Sequence, residues 1–510
     1  MKALSVEKSI FEGEKEVKEL FNFVTTNAEN FKAYDMEKAI FKRIMQIGLT
    51  AMKCYFAEKG TGDLGSEIVS EDGTVLNRES ALRCRNYFSV FGKASVPRTY
   101  YRCDGKPGIM PLDAQTDFPK RCYSYLLQEW MDILSIRETF KESEITLTRL
   151  LGLSVSSSRF EVVNRDSSSN YDEFYEEKEL PPSESEGEIQ VAQFDGKGVP
   201  VIKKEAAKLK SRQGKGEKRQ KKKEAMVGVS YTVNKNERAA EEVAENLIYS
   251  ERARKKKEEK KKKGEEIPKH PKAQNIRRLA SLERTKKEVV EEIVDDSKRR
   301  NPDNIRPLVV VMDGALILWD LVAKVLSGID YVGILDIIHV VEYLWKAGNV
   351  LHGEKNSKTE KWVYDQLLSI LQGNVGRVIG GLKQTLQKRK LTKNKRKTIE
   401  GVIRYFENHI KWMRYDEYLK AGFPIGSGVV ESTCGHTVKD RMEGSGRRWS
   451  IKGAESTLLL RSIYTSGDWD AYWDLHMKLE RKRLYGGALK ALGIADGYDT
   501  DIQLKKAVCN

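Results

Sequence analysis

The stretch RPLVVVMDGALILWDLVAKVL, residues 306 to 326, decides the reading of the fold. Five apolar residues, Leu308 to Met312, run without alternation into Asp313 and Gly314, and apolar positions then recur at helical spacing. A strand apolar on both faces is one buried on both faces, as in a sheet covered by helices. YVGILDIIHVVEYLWKAGNVL (331–351) repeats strand, turn and helix, IQVAQFDGKGVPV (189–201) is another buried run, and AMVGVSYTV (225–233) is strand-like. Strands alternating with helical segments imply an α/β domain.

Outward from that domain, 510 residues predict about three or four domains at roughly 150 residues each. The net charge of +15 calls for an acidic partner, of which nucleic acid is the commonest large one. No uncharged apolar run approaches the roughly 18 residues of a membrane span, and the start, MKALSVEKSIFEGEKEVKEL, lacks the apolar core of a signal peptide. A cytoplasmic, nucleoid-associated location is the expectation. Six cysteines without a C-x-x-C pair are neither a disulfide framework nor a zinc finger.

The first 60 residues carry helical periodicity, and YFSVFG (87–92) and VPRTYYRC (96–103) read as a hairpin. ITLTRLLGLSVSSSRFEVVNRD (145–166) has the proportions of a helix-turn-helix, able to set its second helix in a DNA major groove, or of an ordinary helical hairpin. Residues 166–188, rich in serine, acid and proline, read as a linker. Two lysine-rich blocks flank AMVGVSYTV; such blocks are solvated tails or phosphate contacts, with Lys221, Lys222 and Lys223 the candidates. Residues 353–420 are basic and helical with no strand signal.

Asp195 and Asp313 each end a buried run and precede glycine, which fits a common D-G turn or a carboxylate held on a rigid strand end. In PIGSGVVESTCGHTVKDRMEGSGRRWS, Glu431 follows a glycine-rich turn with no cation within four residues, and reads as a helix-start acid or as a third ligand. Neighbouring strands lie about 4.8 Å apart, so strand-end acids can share a cation. Three carboxylates suit Mg²⁺ or Mn²⁺, and two such ions can serve both oxygens of a phosphodiester displacement. Arg447 and Arg448 could grip phosphate, and Trp449 could stack on an unpaired base or anchor a core.

The blocks VAQFDGKGVP, VVMDGALILWDL, ILDIIHVVEYLW and PIGSGVVESTCGHTVKDRMEGSGRRWS together resemble the ISKra-type insertion-sequence transposases, over roughly residues 95–475. The resemblance implies an α/β ribonuclease-H-like catalytic core with an all-helical insertion, plus a mainly helical N-terminal DNA-binding region. It implies a DDE metal-binding and catalytic triad of Asp195, Asp313 and Glu431, spaced 118 residues apart in each step (313 − 195 and 431 − 313). Asp336 and His339, in DIIH, resemble a D-x-x-H element that supports the site or flanking DNA. The implied organisation is an N-terminal region to 165, the linker, core residues 189–352 with a lysine-rich insertion over 203–305, a helical insertion over 353–421, a core end over 422–480 and a tail over 481–510. The implied partners are double-stranded DNA, as element terminal repeats and target, and further copies of the chain in a synaptic complex. Relatives often carry a paired-cysteine knuckle where this chain has YYRCDGKPGIMPLD with Cys103 alone, which places a zinc-stabilised N-terminal domain in doubt. A non-catalytic DNA-binding protein and a structure-specific nuclease on the same core are the rival readings.

Overall fold

A computed structural model of the chain describes residues 5–70, 73–106, 108–209, 221–264, 270–444 and 446–492. The chain divides into two compact units rather than three or four domains: residues 1–176 with 469–510, and residues 177–468.

The first unit opens with two long helices, α1 (Val6–Asn27) and α2 (Ala33–Lys59); Ser5 caps α1 by accepting from the Lys8 amide. Short strands follow: β1 (Glu67–Val69), β2 (Val75–Arg78), β3 (Arg83–Ser89), β4 (Gly92–Arg98) and β5 (Tyr101–Arg102). The expected hairpin is β3–β4, closed where Ser89 pairs with Gly92, whose φ of 137° favours glycine. Its second strand stops at Arg98, and Tyr101–Arg102 pairs with β2 in a separate three-stranded sheet.

Helices α3 (Pro111–Gln115), α4 (Tyr125–Ser135), α5 (Phe140–Leu151) and α6 (Ser157–Ser167) come next. Thr139 and Glu142 form a reciprocal capping box at the start of α5, and Gly152, left-handed at φ 70°, ends it. Leu127, Met131, Leu147, Phe160 and Val163 close the core among α4, α5 and α6. The segment read as a linker is partly helical. Tyr171, Phe174 and Tyr175 recur at helical spacing and are buried, so α7 (Tyr171–Glu177) forms where polarity alone predicted none.

The second unit is built on a five-stranded sheet. In chain order its elements are β6 (Ile189–Pro200), α8 (Lys203–Ala206), β7 (Lys222–Val233), α9 (Ala240–Ile248), α10 (Ser250–Lys262), β8 (Gln274–Ser281), α11 (Lys286–Arg300), β9 (Leu308–Met312), α12 (Leu316–Val325), β10 (Val332–Leu335) and α13 (Ile337–His352). The order across the sheet is β10-β9-β6-β7-β8; β6, β7 and β8 are antiparallel neighbours, whereas β9 lies parallel to β6 and β10 parallel to β9. Residues 203–305 are therefore no insertion, since they supply two of the five strands and α11. Lys222 and Lys223 belong to β7, paired with Pro200 and Val199, while residues 210–220 of the first lysine block and 265–266 of the second lie outside the described residues.

On one face α11 packs against the sheet, and a Cβ at Gly228 would meet Ile293 at 2.8 Å and Phe194 at 3.3 Å. The expected all-helical stretch is α14 (Ser357–Leu371), α15 (Val375–Lys388), α16 (Lys393–His409) and α17 (Tyr415–Lys420). Then follow α18 (Gly428–Thr433), a π-helical turn (Cys434–Lys439), α19 (Asp440–Met442) and α20 (Ile451–Ser466). Every residue from Gly453 to Ile463 is buried, so α20 is an interior helix.

The last helix, α21 (Trp469–Ala491), returns to the first unit. Its Tyr472 donates to the Ser167 carbonyl at 2.5 Å and its Tyr485 to the Phe118 carbonyl at 2.5 Å. The core end read to 480 stops instead at 468, and the first part of the presumed tail is helix through residue 491.

Candidate functional site

Backbone register builds the site. The last paired residues of β6 and β9 are Phe194 and Met312, and those of β9 and β10 are Met312 and Leu335. Asp195, Asp313 and Asp336 each stand one residue further on, so three aspartates form a row across three adjacent parallel strands. Asp313 and Asp336 follow strand ends, whereas Asp195, expected to end its strand, lies within β6, which continues to Pro200 paired with β7. The ends of parallel strands are where open α/β sheets bind ligands. The Asp336 amide donates to the Met312 carbonyl at 2.8 Å, which fixes the row's outer member.

Glu431 reaches this edge from α18. Gln193, on β6 two residues before Asp195 and on the same face, is fully buried. Its Oε1 accepts from the Val430 amide at 3.0 Å, and its Nε2 donates to the Gly426 carbonyl at 3.1 Å. One strand side chain thus clamps both ends of the turn that carries Glu431. The Ser427 hydroxyl donates to Glu431 at 2.8 Å, and the Ser427 amide donates to Asp336 at 3.2 Å. Glu431 is also a first-turn acid of a short helix, so the helix-start reading and the site reading meet in the same residue.

Asp195 accepts from its neighbour Gly196 at 2.6 Å and from the buried Cys434 thiol at 3.2 Å. Burial pushes that thiol's pKa well up, and Asp195 and Glu431 push it further, so Cys434 stays a protonated donor. Cys434 opens the π-helical turn, a geometry frequent at functional sites. Asp313 accepts from the Ala315 amide at 3.0 Å, and its carbonyl receives the Trp319 indole at 2.7 Å. Trp319 in turn stacks on Trp412 with centroids 4.1 Å apart. Tyr415 and Tyr418 donate to the carbonyls of Leu335 and Gly333, at 2.7 and 3.0 Å, tying the helical stretch to β10.

Asp336, fully buried, takes the His339 Nδ1 at 2.9 Å and the Ile338 amide at 3.2 Å. This bond with Asp336 is the main cause that raises the His339 pKa to about 9, opposed by burial and helped by Glu342 and Asp313. Among the described residues, Asp336, His339 and Glu431 are the group whose ligand atoms could close on one ion, lying within 4.8 Å of one another. Asp195 and Asp313 stand beside it on the neighbouring strands. The carboxylate-rich donor set fits a divalent cation such as Mg²⁺ or Mn²⁺. Sequence alone placed Asp336 and His339 in a supporting role; the sheet order brings Asp336 into the row itself.

The basic loop divides. Trp449 is 6% exposed, its indole donates to the Met442 carbonyl at 3.3 Å, and the Arg441 guanidinium lies 4.4 Å from its ring centroid. Its backbone pairs beside β6, through Pro200 and Ile202. Trp449 is a core anchor, and the expectation of a stacking platform for an unpaired base is corrected. Arg447 is folded back onto the Asp440 and Arg441 carbonyls at 3.2 and 3.0 Å, while Arg448 is exposed. Lys222, also expected to meet phosphate, is paired with Glu443 at 2.6 Å; Lys221 is exposed and Lys223 half-buried. A search of family models and of curated proteins finds no match to the chain.

Proposed function

We propose that the protein is a DDE-type DNA transposase with a ribonuclease-H-like core. The observation that carries this reading is the acidic row, Asp195 and Asp313 side by side on parallel strands β6 and β9, with Glu431 brought over the same edge by Gln193. The mixed five-stranded sheet, with helices following β9 and β10, is compatible with such an α/β core. Asp195, Asp313 and Glu431 would hold the divalent ions with Asp336 and His339 beside them. Such ions, when bound, activate an attacking oxygen and stabilise the leaving one. The chain's own residues orient that set: Gln193 and Ser427 fix Glu431, Cys434 fixes Asp195, and the imidazolium of His339 holds Asp336. The substrate would be element-end DNA, read by α5 and α6, where Arg159 and Arg165 are exposed on the second helix.

Glu431→Gln keeps shape and removes one charge, so Mg²⁺- or Mn²⁺-dependent cleavage and strand transfer on terminal-repeat DNA should fall at least about 100-fold. Asp195→Asn and Asp313→Asn should behave alike, and pairs should cost little more than singles. Duplex binding by the same preparations should survive. Wild-type cleavage without joining would favour a nuclease, and binding with neither step would favour an architectural protein. Near-normal strand transfer by Glu431→Gln would return it to a helix-start acid.

A further inference from the structure

The α1–α2 hairpin has an apolar face turned to solvent. Each helix spends one seam on the other: the Glu16 carboxylate meets Gln46 at 3.3 Å, and Arg43 lies 3.5 Å from the Phe23 ring centroid. A second stripe remains on each. On α1 it runs through Ile10, Val17 and Phe21, and on α2 through Tyr34, Phe41, Ile44 and Tyr55, spaced by three, four, seven and eleven residues as in a helix-packing seam. Phe21 is 65% exposed and Phe41 47%. Of the stripe residues, Ile10, Val17 and Tyr55 line a groove of about 500 Å³ between the helices, together with Gly13, Ile47 and Ala51. Phe21, Phe41 and Ile44 lie beyond it. Contiguous exposed apolar surface of this kind marks an interaction site.

We infer that this face packs on the same face of a second copy, forming a four-helix bundle in which α1 lies against α2 of the partner. Charge argues for self-pairing in that arrangement. Helix α1 carries five acidic and three basic residues, and α2 carries three acidic and five basic. A two-fold axis parallel to the helices sets each acidic helix over a basic one, antiparallel, and leaves like-charged helices diagonal. The levels also match. Gly13 lies beside Thr50, its Cβ position 3.8 Å from the threonine methyl, so Ile10 stands level with Tyr55 and Phe21 with Ile44 and Phe41. The two grooves face each other and the stripe side chains fill the space between, as in the core of a bundle. The dimer forms without DNA or metal, so it stands or falls apart from the proposed activity.

The test is sedimentation of the full chain without DNA at low micromolar concentration. Wild type should have twice the 58.2 kDa of one chain. Phe21→Glu and Phe41→Lys, each on an already exposed position, should each sediment as a monomer with unchanged helicity. An equimolar mixture should recover the dimer, because Glu at 21 of one copy then faces Lys at 41 of the other. A monomeric wild type, or a dimer that survives either single change, overturns the inference. A mixture that stays monomeric overturns the α1-on-α2 arrangement. The wild-type mass decides the matter even if a variant fails to fold.

Discussion

Asp132 in α4 of the first unit and Asp336 in the second are both without solvent exposure, and they meet burial in opposite ways. Asp132 has no cation among its hydrogen-bond partners: Asn164 approaches at 3.4 Å, and burial pushes its pKa up to about 8, against smaller lowering by Ser167 and Asn164. Asp336 has the His339 ring at 2.9 Å and two backbone amides at 3.2 Å. One acid answers desolvation by keeping its proton; the other holds its neighbour's proton to about pH 9. The difference is that between an acid filling a core and an acid placed at a strand end beside other charges.

The largest effect expected is on Asp132. In the unfolded chain it ionises near pH 4 and in the folded protein near 8, so wild type loses stability as pH rises through that window. The slope is on the order of 1.4 kcal/mol per pH unit. Buried His476, held down to about 4, tilts stability the other way between 4 and 6.5. His339, held up to about 9, tilts it the same way as Asp132 above 6.5, so the Asp132 effect is read as the difference between wild type and Asp132→Asn from 6.5 to 8. Urea unfolding at both ends of that range should show Asp132→Asn gaining on wild type at the higher pH. A constant difference would mean that Asp132 is not a neutral acid.

Asp336→Asn should act with the opposite sign. A hydrogen bond to a charged group contributes about 1.5 to 3 kcal/mol, discounted here because the His339 ring is 34% exposed. That contribution is full below about pH 6.5, the unfolded value, and fades as pH climbs through 9. By NMR the His339 pKa should drop toward 6.5 in the variant; an unmoved titration would break the pairing.

The smallest effect sharpens the comparison from the site's scaffold. Gln193→Leu leaves the Val430 amide without its acceptor and should cost about 1 to 3 kcal/mol of stability. On the proposed transposase reading Gln193 positions Glu431 rather than touching substrate, so strand transfer should fall while DNA affinity holds, and raised Mn²⁺ should restore part of it. Activity unchanged beside lowered stability would make Gln193 structural only.

Much of the second unit was legible because the apolar runs of β6, β9 and β10 lead into Asp195, Asp313 and Asp336, although β6 itself continues to Pro200. Strand β8 was not. QNIRRLAS reads as polar, and the buried one of its two arginines, Arg277, is tolerable because it finds Glu292 at 2.5 Å and Asp296 at 3.4 Å on α11, a partnership between distant positions. The start of α11 was available in the sequence as T-x-x-E, since Thr285 and Glu288 form a capping box. The acidic row was half legible: the D-G ends were visible, but that β9 lies between β6 and β10 depends on sheet order, which no local pattern encodes. Trp449 looked equally suited to base or core, and only its place beside β6 decides it.

The return of α21 sets a timetable for synthesis. Tyr472, fully buried, and His476, whose ring nitrogen meets Asn170 at 2.8 Å, complete a core whose other members lie before residue 177. Between residues 176 and 469 the ribosome must add 293 residues (469 − 176), which at roughly 5 to 20 residues per second takes about 15 to 60 seconds. Throughout that interval the first unit waits on the ribosome with one wall missing, while the second can fold as soon as it emerges. A nascent chain halted before Trp469 would therefore carry a finished sheet domain beside an open helical one, with the surface meant for Tyr472 and Trp473 offered to chaperones.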